Sequence, residues 1–253
     1  MKNLNRYAAL IIVLLFLFSC KKDNHETIAD PVPEKVINYQ DSISFSINDK
    51  QYTFDDKYSY GIGNQPINIK RSATVINNGK LAYETGGYYW YGVQDSTLYS
   101  VVYKVLSRQA ANTFSIDFTK KFADKTLQGG IHLLYPKSNL EVFKLGKQSF
   151  AVDLDKENTL EGISINLAGA DINKSLSTDV PGFSILIRSD LKNDIQNNST
   201  FEITKIEQLK DNIYAIEAKF EVNLFDIDAK QYRLKNGFMR LVTNVVPGNG
   251  GTL

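Results

Sequence analysis

From Asp41 onward, apolar and polar positions alternate with the period of two that a half-buried β-strand imposes. Ile43, Phe45 and Ile47 alternate with Ser42, Ser44 and Ser46, Asn48 to Lys50 supply turn chemistry, and Tyr52 and Phe54 resume the alternation, which predicts a β-hairpin. Asn77-Asn78-Gly79-Lys80 predicts a second hairpin, between Ala73–Ile76 and Leu81–Tyr83, and Tyr88–Val93 with Thr97–Val105 predicts a third. Phe114, Ile116 and Phe118 alternate with polar partners over Thr113–Phe118, and further strands are expected at Ser149–Leu154, Gly162–Leu167, Ser184–Arg188 and Phe201–Ile206. The clearest strand is Ile213–Leu224. Its Tyr214, Ile216, Ala218, Phe220, Val222 and Leu224 form one face and Glu217, Lys219, Glu221 and Asn223 the other, so one side should be buried and the other wet. Asp226–Lys230 then turns the chain back through Gln231–Leu234, past Asn236 and Gly237, to Phe238–Thr243.

One short helix is expected at Asn139–Leu145, where Ser138 and Glu141 have capping-box spacing and Gly146 supplies a left-handed stop. Many short strands separated by turn signals define the fold class: all-β, an antiparallel β-sandwich or barrel-like sandwich with this one helix. The β domain should cover 41–246, as one body or two subdomains with a seam around Ala168–Val180, and 247–253 should be a flexible tail.

The beginning of the chain has a different pattern. Lys2 and Arg6 make a positive start, and Ala8–Phe18 follows as an uninterrupted apolar run. At about eleven residues, that run suits a secretory signal, which needs about 7–15, and is too short for a spanning helix, which needs about 20. Leu17, Phe18 and Ser19 precede Cys20, the only cysteine in the chain. This arrangement resembles a bacterial lipobox, with Phe18 standing where a smaller residue is common.

The resemblance implies a signal peptide over 1–19 and lipidation of Cys20. Two or more acyl chains would then make a stable membrane anchor, since one alone binds only marginally. Residues 20–40 carry Pro31 and Pro33, lack hydrophobic periodicity and read as a lipidated tether. The Lys21-Lys22-Asp23 that opens it resembles the charged start of exported Bacteroidota lipoproteins. The expected location is the cell envelope, at the outer membrane, with the leaflet left open.

Composition narrows the function classes. With 29 basic and 28 acidic residues there is no net field to attract nucleic acid, and 43% hydrophobic residues suffice for a real core. A single cysteine rules out an intramolecular disulfide and a thiolate metal cluster.

The stretches FSINDKQYTF (Phe45 to Phe54) and AKFEVNLFDIDAKQYRLKNGFMRLV, with Phe220, Leu224, Leu234, Asn236, Gly237 and Phe238, resemble the opening and closing hairpins of uncharacterised Bacteroidota lipoproteins. The resemblance implies a β-sandwich-type domain of unknown function. It brings no catalytic residue with it.

Candidate chemistry is sparse. His25 lies in the tether and His132 begins an apolar run, with no marked partners for a metal site or a catalytic relay. Asp153-Leu154-Asp155-Lys156-Glu157-Asn158 has the rhythm of a calcium loop. However, Asn158 replaces the turn glycine and Ser164 the bidentate glutamate, so a charged turn is expected. Asp55 with Asp56, and Glu157 with Glu161, are imaginable acid and base pairs of an envelope hydrolase, a role that only separation in space decides. Tyr60–Pro66 has turn glycines but no helix or lysine after it, and reads as a loop.

The composition anomaly is TGGYYWYG, Thr85 to Gly92. With a turn at Asp95–Ser96, Tyr88 and Trp90 would share a core face with Val101 and Tyr103. Tyr89 and Tyr91 would then point to the opposite face beside Ser100 and Lys104, as a platform on which sugar rings stack. The expected function is therefore a non-enzymatic, lipid-anchored envelope protein with a binding or structural β domain. The alternatives are a glycan-binding surface lipoprotein and an envelope hydrolase. No cofactor and no metal are expected, and the partners would be the membrane and a glycan or envelope protein.

Overall fold

The computed structural model describes residues 39–54, 69–72, 76–77, 80–81, 89–90, 95–107, 111–130, 133–153, 160–181 and 189–247. The residues from Tyr39 onward belong to one compact unit. In chain order its strands are β1 (Ser42–Ile47), β2 (Lys50–Phe54), β3 (Ile69–Ser72), β4 (Ile76–Asn77), β5 (Lys80–Leu81), β6 (Tyr89–Trp90), β7 (Ser96–Ser107) and β8 (Asn112–Ala123). They continue with β9 (Gln128–Gly130), β10 (Leu133–Tyr135), β11 (Gly146–Lys147), β12 (Gly162–Ala168), β13 (Leu176–Ser177), β14 (Thr200–Lys210), β15 (Ile213–Phe225) and β16 (Gln231–Asn244).

The main sheet runs β2-β1-β16-β15-β13-β12-β8-β7-β3-β6, with β14 also on β15 and β11 on β14. Its strand pairs are antiparallel except β3 with β6. The sheet curls until β2 touches β7. Residues 146–151 fill the gap between β14 and β12: Gln148 N donates to Phe201 O (2.8 Å), and Ala151 N donates to Ile163 O (2.9 Å). The described residues from Tyr39 onward thus form an all-β, barrel-like body, as their alternation implies.

The inward faces are those that the alternation marks. Ile43 and Phe45, Val101 and Tyr103, Phe114, Ile116 and Phe118, and Ile216, Ala218 and Phe220 are all buried in one core. Aromatic rings run through it in contact: Phe45 with Phe54 and Phe114, Phe114 with Phe220, Phe220 with Phe201, and Phe201 with Phe118. Each such pair is worth about 0.5–1.5 kcal/mol beyond the area it buries.

The first hairpin forms as predicted, and of the second the structure describes only Ile76–Asn77 and Lys80–Leu81, which pair. Asn48 (φ 50°) and Asp49 (φ 62°) take the left-handed conformations that a two-residue turn demands, and Ile76 pairs with Leu81 across Asn78-Gly79. The third hairpin does not form. Tyr89 and Trp90 pair in parallel with Arg71 and Ser72 on β3, and β3 lies between them and β7. β7 has instead taken the long β8 as its partner along its whole length. Ser149–Leu154 is likewise no strand in its described part but a single bridge, Phe150 to Ile163. The expected strand at Ser184–Arg188 and the tail lie outside the described residues, apart from Pro247.

The predicted helix is one 3-10 turn, Asn139–Val142. Its capping box is present: Ser138 Oγ accepts from Leu140 N (3.1 Å), and Glu141 Oε1 accepts from Ser138 N (3.3 Å). The turn stops early because Phe143 leaves it to pack on Phe118, with ring centroids 4.9 Å apart. With Val142 and Phe143 buried, the turn caps one end of the body, tied to the end of β16 by Asn139 N donating to Val245 O (2.7 Å).

Candidate functional site

Register places the remaining turns at two ends. Ile47 faces Leu234, Phe225 faces Gln231, Leu167 faces Leu176 and Ser107 faces Asn112, so these strand ends gather opposite the 3-10 turn. There, residues 169–175 cross the mouth as a strap. Lys50 pairs with Asp171 on one side (3.6 Å), Lys174 pairs with Asp226 on the other (2.5 Å), and Ile172 packs onto the core between them.

Asp226 organises this end. Its Oδ1 accepts from Asp228 N (3.1 Å) and Lys230 N (3.0 Å), and its Oδ2 accepts from Lys174 Nζ (2.5 Å) and Tyr232 Oη (3.1 Å). The Lys174 hydrogen bond, with the others behind it, lowers the carboxyl from 3.8 to about 2. A depressed folded-state value stabilises the fold above the unfolded carboxyl's range, and that contribution is lost as pH falls from about 4 towards 2. Asp226→Asn is expected to cost about 1–2 kcal/mol at pH 7. It should also flatten the acid limb between pH 4 and 2, both read from urea midpoints across pH.

A second polar cluster lies on the outer face of β7, β8 and β12. Ser100 and Thr119 share a 2.6 Å hydrogen bond, Asp117 stands opposite Ser164 in register, and Ser164 Oγ donates to Asp179 Oδ1 (2.7 Å). Asp117 and Asp179 thus flank one serine. Both are buried (7% and 5% exposed) and Ser164 is fully enclosed.

The third cluster sits beneath the 3-10 turn. Tyr99 Oη donates to Asn139 Oδ1, and Tyr103 Oη shares a 3.0 Å hydrogen bond with Thr243 Oγ1. Burial pushes both phenols well above their ordinary range. Asn139 Nδ2 is enclosed and finds no partner among the described residues. Nearby Asp41, its carboxyl raised by burial, accepts from Val242 N (2.7 Å).

Of the residues singled out from the sequence, Cys20, the tether to Asn38, His25, Asp55, Asp56, Glu157, His132 and Tyr91 lie outside the described residues. Tyr89 is in β6. Val101 and Tyr103 are in the core, Ser100 is buried with Thr119, and Lys104 is exposed. Glu161 Oε1 accepts from Lys121 N (2.6 Å). Asp153 is buried, with its Oδ1 accepting from Leu160 N (3.1 Å), and the rest of the calcium-like stretch, 154–158, lies outside the described residues. Among the described residues no group of three or more His, Cys, Asp or Glu is placed to hold a metal ion, and no helix is long and apolar enough to cross a membrane.

One expectation needs correcting. Asn223, assigned to the wet face of its strand, is 2% exposed. Residues 189–199 fold over it: its Nδ2 donates to Ile195 O (2.8 Å) and Asn198 Oδ1 (2.6 Å), and its Oδ1 accepts from Gln231 Nε2 and Arg233 Nη1 (3.0 Å each). A polar residue at an outward position gives no sign of being covered, so alternation alone could not have found this. No protein-family model, curated protein or solved structure matches the chain.

Proposed function

We propose that this is a lipid-anchored cell-envelope protein, held at the outer membrane through Cys20, whose β domain binds or supports an envelope partner and performs no catalysis. The observation that carries the reading is the position of the sole cysteine, directly after a signal-length apolar run and Leu17-Phe18-Ser19. Among the described residues, the carboxylates Asp117, Asp179 and Asp226 are each buried and hydrogen-bonded or in register with polar neighbours.

The test is metabolic labelling with an alkyne fatty acid. The unaltered chain should incorporate label and sediment with membranes, and Cys20→Ala should lose both. Normal membrane retention of Cys20→Ala would sink the reading.

A second reading keeps the glycan platform of Tyr89 and Tyr91, because β6, which holds Tyr89, is the last strand in the order of the main sheet among the described residues. On that reading, Tyr89→Ala and Tyr91→Ala each abolish signal on a glycan array. Retention of binding in both would remove it.

A further inference from the structure

We propose that the outer edge of β14, over Thr204–Gln208, is a self-association site, which pairs antiparallel with the same edge of a second copy, Ile206 opposite Ile206, and so joins the two main sheets into one. This pairing needs neither the lipid anchor nor the glycan platform.

Half of β14 is paired on one side only. It runs beside β15 from Thr200 to Lys210, but on its other edge β11 takes only Glu202 and Ile203, and Gln148 N donates to Phe201 O (2.8 Å). From Thr204 onward no strand among the described residues covers that edge, and Thr204, Gln208 and Lys210 are exposed. Side-chain face and backbone direction alternate together along a strand. Phe201 points into the core and turns its carbonyl to the outer edge, so Ile206, which packs on the same core, turns its N–H and C=O to that edge as well. A second strand can dock there through backbone hydrogen bonds.

Charge selects the occupant. Lys205 and Glu207 lie on the outer face of this edge, 2.7 Å apart, and the Tyr39 hydroxyl fixes them by donating to Glu207 and accepting from Lys205 Nζ (3.3 Å). Hydrogen bonding between the two holds the Lys205 ammonium above, and the Glu207 carboxyl below, their ordinary ranges, so both stay charged. Such charges keep an edge from pairing with an arbitrary strand. A second copy centred on Ile206 instead sets Lys205 of each chain opposite Glu207 of the other, and Thr204 of each opposite Gln208 of the other. A slip of two residues either way sets Lys205 on Lys205 or Glu207 on Glu207, and a slip of one sends facing side chains to opposite faces. Parallel pairing in register also meets like with like. The antiparallel register centred on Ile206 matches every charge.

The ladder is bounded at both ends. β14 shifts register between Ile203 and Lys205 and again between Gln208 and Lys210, and β11 already occupies the edge at Ile203. Leu145, 59% exposed, immediately precedes β11 at that limit, where Leu209 of the second copy, half-buried in its own chain, would leave the ladder. The twofold axis repeats this apolar contact at the other end. A short ladder flanked by leucine contacts makes a small interface of the transient kind.

The experiment is sedimentation equilibrium of the full chain in density-matched detergent, from roughly 1 to 500 μM. The unaltered chain should populate a dimer. Lys205→Glu and Glu207→Lys each leave only like charges facing one another at this edge, and each should weaken dimerisation roughly tenfold or more. Mixing the two variants should restore it, because each copy then meets the opposite charge on the other, and a mass tag on one variant should show that the restored dimer holds one copy of each. Urea midpoints of the variants separate a loss of folding from a loss of pairing, and a misfolded copy would not recover on mixing. A chain that stays monomeric overturns the proposal and leaves the edge to a strand of a different protein. Dimerisation that ignores the charges at 205 and 207, or that mixing fails to restore, overturns it too, since association through any other part of the chain would behave in that way.

Discussion

Gly237→Ala is expected to lower stability by about 3 kcal/mol or more. A Cβ at this position would stand 2.5 Å from the Phe220 carbonyl oxygen and 2.5–2.6 Å from two carbons of the Phe220 ring. The ring cannot yield, because it is stacked on Phe201 and touches Phe114 inside the core, and the oxygen is backbone. The close approach arises where β15 and β16 slip register between Phe220 and Val222, with Asn236 at φ 53°. This is a bulge, with Gly237 as the residue that lets the two backbones close. A urea titration should show the loss as a lower midpoint at unchanged slope. The exposed neighbour Lys235→Ala should stay within about 0.5 kcal/mol, and a Gly237→Ala midpoint equal to that control would refute the close-approach account.

Asn223→Leu comes second, at about 2–4 kcal/mol. The side chain keeps its size, so packing changes little and the cost is electrostatic. Ile195 O and Asn198 Oδ1 lose their donor, while Gln231 Nε2 and Arg233 Nη1 lose their acceptor. Gln196 shares the network, its Oε1 accepting from Asn223 N (3.2 Å) and its Nε2 donating to Asn223 O (2.7 Å) and Thr178 O (2.9 Å). Gln196→Ala and Asn223→Leu should therefore be non-additive, with a coupling of about 0.5–3 kcal/mol in a double-mutant cycle. Strict additivity would mean that residues 189–199 are held by something else.

Both positions show how far the residues could be read in advance. Asn236-Gly237 was legible as a break in a strand pattern, but whether it turns the chain or bulges it depends on the partner strand. Asn223 had the right period and the wrong surroundings. The third hairpin failed for a related reason: Tyr88–Val93 satisfied the local rules, but β8 took one edge of β7 and β3, more than twenty residues before it, took the other. The acid pair around Ser164 had no signal at all, since Asp117 is one polar residue among several on an alternating strand and Asp179 lies 15 residues beyond Ser164.

What the amino-acid sequence determined by itself is whatever a few neighbouring residues can decide. This includes the strand period, the left-handed turn at Asn48–Asp49, the capping box at Ser138 and Glu141, the inward face of Ile213–Phe225, and the signal-length run ending at Cys20. Tertiary structure alone decided the closure of the sheet, the burial of Asn223, the bulge at Gly237 and the reach of Tyr39 to Glu207, 168 residues away. The division is physical. Backbone conformation and side-chain alternation are local in energy, whereas burial and strand partnership depend on competition between segments that are distant in the chain and meet only once it has folded.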